Sequence, residues 1–290
     1  MIIPIASGRL TEDQRQTITR IASHALERAC RVLNLDNSSA QRIIDDSGEV
    51  GDALVAQVRS FSSPKVSSHE EVVSTGGYSS RYKPRRLADQ MNRLREFFPE
   101  VNNASTELAE GALPVGAEGW FAIPRWELMG PNYASAVARA LEMMKACCPG
   151  RLSDCSVGRL DAASFRQTKR TARMYRQLGH AQGGFDTLVI PCQLGIRHRG
   201  RSVRYARARM CDCEFGLGAF AVAMIILTHP ERLQESTDLW IDCAGDEFDT
   251  DCGWPNVPYF NILGETITFG TGWFGDVDGR FGSASGFLAQ

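Results

Sequence analysis

Six arginines fall in the thirteen residues from Arg197 to Arg209: Arg197, Arg199, Arg201, Arg204, Arg207 and Arg209, with no acid among them. Gly195 and Gly200 sit around the start of the run, and Ser202 stands where it would cap a helix. These are the ingredients of an anion site. Glycine lets backbone approach a ligand closely, a helix start presents free N–H groups, and guanidinium forks match phosphate or carboxylate oxygens. The stretch matches neither a Walker A loop nor a GxGxxG turn, so the ligand class stays open. A second set, Arg166, Arg170 and Arg173, lies at i, i+4 and i+7 in a stretch that reads as a helix. Placed beside Arg197, Arg199, Arg201 and Arg204, it would give one basic face for nucleic acid or a phosphorylated small molecule. The competing reading is that acids of the same fold neutralise these arginines.

An acidic constellation follows in "WIDCAGDEFDTDCGW". Asp242, Asp246 and Glu247 come after a stretch that reads as a buried strand, and carboxylates at a strand end are suited to holding Mg²⁺ or Ca²⁺. That arrangement, joined to the basic region, would support metal-assisted phosphoester chemistry. The spacing fits no EF-hand loop, and an Arg-paired or solvated acidic loop is the plainer reading. Cys192 and Cys243 also lie at strand ends, with His180, His198 and His229 in the same half, but no nucleophile signature surrounds them. No GxSxG, HExxH or Rossmann fingerprint occurs.

Charge is unevenly spread beneath a net of -2. Residues 151–210 hold thirteen Lys/Arg against three Asp/Glu, whereas 211–290 hold two against thirteen. Either the two regions neutralise each other across one fold, or each meets its own ligand, or they meet between copies in a self-assembling homo-oligomer. A pI near 6.2 weighs against a dedicated nucleic-acid binder. Nine cysteines without a CxxC pair read as free thiols of a cytoplasmic protein. The longest apolar run, Phe215 to Leu227, is too short to span a bilayer and reads as a buried helix, so no membrane partner is expected.

The elements that must carry these residues follow from periodicity. Residues 12–33 are amphipathic at helical spacing, and Thr11 with Gln14 has the form of a capping box. A helical N-terminal region over 1–62 is expected, followed by a Ser/Gly/Pro-rich linker or mobile loop at 63–84. Residues 85–290 read as a mixed α/β domain on which the helical region would dock. Helices are predicted over 132–148 and 165–178, and strands at 119–126, at Phe185–Pro191 and at Leu239–Cys243. The order strand, helix, strand through Leu188, the apolar run and Leu239 is βαβ-like and favours a parallel pair. "FNILGETITFG" reads as a C-terminal hairpin turning at Gly264–Glu265. The expectation is therefore a soluble α/β protein that binds an anion through its arginine-rich centre.

Overall fold

The computed structural model describes residues 12–32, 36–48, 50–51, 68–156, 160–250 and 253–288. The chain divides into two compact units, Met1–Lys65 and Val66–Gln290.

In the first unit, helix α1 spans Glu12–Val32 and helix α2 spans Asn37–Asp45. Asp36 caps α2, its Oδ1 accepting from the Ser39 amide at 2.7 Å. No described side chain of this unit is buried, and Ile21, Leu26, Ile43 and Ile44 stand exposed. The capping box at Thr11 and Gln14 lies outside the described residues.

The second unit is a mixed α/β fold. Its helices are α3 (Leu87–Phe97), α4 (Tyr133–Cys147), α5 (Lys169–Ala181), α6 (Val203–Arg209) and α7 (Ala219–Thr228). Among the described residues ten strands form one sheet: β1 Gly119–Pro124, β2 Leu152–Asp154, β3 Phe165–Gln167, β4 Thr187–Arg199, β5 Glu214–Gly216, β6 Trp240–Asp242, β7 Asp246–Thr250, β8 Gly253–Leu263, β9 Thr266–Trp273 and β10 Phe281–Phe287. The main order is β1-β4-β10-β6-β8-β7-β3, with β5 on β10, β9 on β8 and β2 on β9. Phe121, Ile123, Ile190, Ile241, Phe260 and Phe269 of the strands join Leu94, Val137, Leu141, Ile225 and other helix residues in one core. The β8–β9 hairpin closes on Leu263↔Thr266, as alternation on both sides of Gly264–Glu265 predicts.

Four expectations change. The strand beginning near Phe185 does not stop at Pro191 but runs on to Arg199, because Leu194 and His198 are buried while Arg197 and Arg199 alternate outward. The strand–helix–strand order yields no parallel β4/β6 pair. β10 lies between them, antiparallel to β4 and parallel to β6. The predicted helix at 165–178 begins later: Phe165–Gln167 is strand β3, and Thr168 caps α5 by accepting from the Thr171 amide at 3.1 Å. The apolar run likewise opens as strand β5 before α7 begins, and every α7 side chain is buried.

Gly195 sits within β4 at φ 116. A Cβ there would lie 2.8 Å from the Gly282 carbonyl oxygen, so the irregular β4/β10 register at this point depends on glycine. From residue 68 the Ser/Gly-rich segment bridges to the unit's own strands and loops, at Glu71↔Arg201 and Gly77↔Asp238. No described helix is long and apolar enough to cross a membrane.

Candidate functional site

The arginine-rich run folds as two different pieces. Arg197 and Arg199 end β4. Gly200, at φ 69, turns the chain, and Ser202 then caps the seven-residue α6 by accepting from the Tyr205 amide at 3.0 Å. This is the glycine, helix-start and arginine arrangement that the sequence suggested, and the anion on it is the chain's own Glu70. The Ser202 hydroxyl donates to Glu70 Oε2 at 2.6 Å, and Arg204 donates to both Glu70 oxygens at 2.6 and 3.1 Å. Burial alone would raise the Glu70 carboxyl; the bonds from Arg204 and Ser202 outweigh it and hold the group below its usual range.

The neighbours are similarly engaged. Arg201 pairs with Glu71 at 2.7 Å. Arg197 lies 3.3 Å from Glu214, a buried carboxylate that also meets His198 Nε2 at 2.8 Å and the Ser285 hydroxyl at 2.6 Å. Arg207 donates to the carbonyls of Ala244 and Asp246. Arg170 donates to the carbonyls of Cys211 and Glu214. Arg166, on β3 rather than on a helix, pairs with Glu247 at 3.0 Å and stacks 3.7 Å over Trp254. Arg199 and Arg173 are exposed and make no ion pair among the described residues.

The three acids do not converge. Asp246 is buried at the start of α7, where its Oδ2 accepts from the Ala219 amide at 2.6 Å and both its oxygens accept from the Tyr133 hydroxyl at 3.0 Å. Glu247 faces Arg166 and, at 4.0 Å, Arg207. Asp242 stands apart on β6. Among the described residues no group of three or more His, Cys, Asp or Glu is placed to hold a metal ion.

Asp242 instead lines a cavity of about 440 Å³. Alternation builds it: Trp240 and Asp242 of β6, Val257, Tyr259 and Asn261 of β8, and Thr271 and Trp273 of β9. The intervening residues Ile241, Phe260 and Ile262 are in the core. Phe281, Val203 and the loop Asp276–Asp278 complete the walls. Gly270 lies opposite Tyr259 in the β8/β9 register, and a Cβ on it would fall 2.6 Å from the Tyr259 hydroxyl, so glycine here lets the ring lie across β9. Phe281 packs edge-on against both Trp240, at 4.9 Å, and Tyr259, at 5.2 Å. Arg280 covers Trp240 from 4.2 Å while it pairs with Asp278.

The polar groups of this cavity are poorly satisfied. The Asp242 carboxyl makes no hydrogen bond or ion pair among the described residues, and burial pushes it up to about 7 against the opposing pull of Arg207. Asn261 is only 6% exposed, Trp240 only 5%, and the Asn261 carbonyl oxygen and the Trp240 indole N–H have no hydrogen-bond partner among the described residues. Asp276 makes no ion pair among the described residues. The signal in sequence was the alternation in "NVPYFN", in which Val257, Tyr259 and Asn261 share one face of β8. The chain matches no protein-family model, no curated protein and no solved structure.

Proposed function

We propose that the chain binds a small polyhydroxylated ligand, a sugar or a close analogue, in the cavity between Asp242 and Trp273. The observation that carries this reading is an aromatic-walled cavity onto which the half-buried Asp242 carboxyl opens with no hydrogen-bond or ion-pair partner among the described residues, with the Asn261 carbonyl oxygen and the Trp240 indole N–H unpartnered in the wall behind it. A buried polar group without a partner costs about 1–3 kcal/mol, which a ligand offsets by supplying the missing bond. A carboxyl poised near neutrality both donates and accepts, which suits hydroxyl groups. Tyr259, Trp273 and Phe281 offer flat apolar faces to the C–H side of a sugar ring. The volume accommodates one or two such rings.

Tryptophan fluorescence tests it, since Trp240 and Trp273 are both in the wall. Titration with a panel of mono- and disaccharides should give a saturable change, lost in Asn261→Leu and in Trp240→Phe. A response to tetramethylammonium but to no saccharide would overturn the reading, as would saccharide binding that both variants retain.

A second reading keeps the polyanion proposal but relocates it. Lys169, Arg173 and Arg176 are exposed at i, i+4 and i+7 along α5, and none makes an ion pair among the described residues. With Arg199 they are exposed cations of the central basic region without an ion pair among the described residues, free to meet nucleic acid or a phosphorylated ligand. Reversing all three on α5 to glutamate should abolish oligonucleotide binding at low salt. Unchanged binding, or no binding by the native chain, would end that proposal.

A further inference from the structure

Between α6 and β5 the chain makes a four-residue turn, Cys211-Asp212-Cys213-Glu214, in which the Glu214 amide donates to the Cys211 carbonyl at 2.9 Å. The turn is held from three sides. Arg170 donates to the Cys211 carbonyl, the Leu288 amide donates to the Cys213 carbonyl at 2.8 Å, and the Glu214 side chain is locked by His198 and Ser285. Its two thiols therefore have a preset separation, with the sulfurs 3.2 Å apart. Cys211 is exposed and Cys213 half-buried. Both line one end of an open groove of about 720 Å³, whose far wall is the loop from Leu108 to Val115. Two sulfurs in hydrogen-bond contact at the mouth of an open groove are placed for chemistry, whereas the buried thiols of Cys192 and Cys243 are packed in the core.

We propose that Cys211 and Cys213 form a thiol–disulfide exchange site whose substrates are low-molecular-weight disulfides. The exposed Cys211 attacks as thiolate on one sulfur of the substrate. The substrate S–S bond breaks, a Cys211–substrate mixed disulfide forms, and the first small thiolate leaves. Cys213, already in contact with the Cys211 sulfur, then attacks that sulfur as thiolate. The mixed disulfide breaks, the Cys211–Cys213 disulfide forms, and the second small thiolate leaves. Two electrons pass from the protein dithiol to the substrate disulfide, and the two protons lost by the protein thiols protonate the two released thiolates. The Cys213 thiol is held above its ordinary range, first by its hydrogen bond with Cys211 and then by burial, which suits the resolving rather than the attacking role. An excess of small thiol runs the sequence backwards.

The full chain is equilibrated with glutathione and glutathione disulfide over a range of ratios, quenched by alkylation, and digested with trypsin. The peptide Met210–Arg232 contains Cys211 and Cys213 and no other cysteine. Its unalkylated form, lighter by two hydrogens, should accumulate as the disulfide fraction rises and disappear on return to excess glutathione. Cys213→Ser should trap glutathione on Cys211, with an adduct yield about tenfold above that on Cys213 in Cys211→Ser. The proposal fails if the peptide stays fully alkylated at ratios that already glutathionylate exposed Cys147. It also fails if the two single variants carry equal adducts. The native-chain measurement stands whether or not a variant folds.

Discussion

The Tyr133 hydroxyl sits 3.0 Å from each carboxylate oxygen of Asp246, and together they close the start of the buried α7 helix. Gly218, the residue that caps that helix, leaves room for both. A Cβ on it would lie 2.2 Å from the Tyr133 hydroxyl and 2.3 Å from Asp246 Oδ1. Gly218→Ala should therefore destabilise the second unit by about 1–3 kcal/mol, because one of two hydrogen-bonded groups must move. Chemical denaturation of the two chains measures it, and an unchanged midpoint would show that the pair relaxes freely.

Burial raises the Asp246 carboxyl to about 7, against the bonds from Ala219 and Tyr133 and the charge of Arg207. A folded-state value above the unfolded one means that the folded chain holds the proton more tightly. The associated stability is fully present below about pH 4 and is lost as pH rises through about 7. Asp246→Asn, which keeps the geometry and cannot ionise, should gain on the native chain over that window by on the order of 3 kcal/mol. Unfolding free energies of both chains at pH 4.5, 6 and 8 provide the difference curve. A flat difference would mean that Asp246 ionises at its ordinary value inside the fold.

How legible this was in the sequence depends on the range of each interaction. Helix α4 and the β8–β9 hairpin were readable, because period 3.6, period 2 and a Gly264 turn are local signals. The second half of β4 was hidden by composition: Pro191, Gly195 and alternating arginines look like a loop until their partners on β10 are known. The basic run was conspicuous, yet its meaning was not local. Glu70 and Glu71, which meet Arg204 and Arg201, lie some 130 residues upstream in a segment read as a linker. The acid-rich end supplies Glu214 and Glu247 but not those two. Asp242 was correctly placed on a buried strand, but its setting depends on which residues of β8 and β9 face it, and strand pairing is set by the whole sheet.

The same partners separate structural arginines from available ones. Glu70→Gln weakens the hold on Arg204 and Ser202 around a buried side chain and should cost about 1–3 kcal/mol. Because the Glu70 carboxyl is held below its usual range, its contribution is present above the unfolded value and is lost as pH falls through the folded one, so the variant's deficit should shrink in acid. Arg199→Ala and Arg173→Ala should shift stability by no more than about 0.5 kcal/mol, as expected for exposed groups that make no ion pair among the described residues. Thermal melts of the three variants check this, and a large loss in either arginine variant would reveal a structural role for that residue.

Asp242 is the case in which stability and function are set against each other. The sequence led us to expect that an arginine or a cation would neutralise it. Among the described residues no arginine contacts it: Arg207 acts on it only at a distance and spends its hydrogen bonds on the carbonyls of Ala244 and Asp246. The carboxyl is raised to about 7 by burial, so its stabilising share is present below about pH 4 and is lost as pH rises through about 7. Above neutrality the folded chain carries an uncompensated charge, which Asp242→Asn removes. The variant should therefore be more stable than the native chain at pH 8, by about 1–2 kcal/mol since the cavity admits water to the group, and equal to it near pH 4. The direction is opposite to that of a structural ion pair, whose loss would destabilise the fold. Excess Mg²⁺ or Ca²⁺ should leave both melting temperatures unchanged, because no cluster of ligands gathers around Asp242 among the described residues. A residue kept at a cost to stability is what a binding or reacting position looks like, so the stabilised variant should also lose saccharide binding. Destabilisation at pH 8, or a cation-dependent rise in the native melt that the substitution abolishes, would return Asp242 to a structural or metal-binding role.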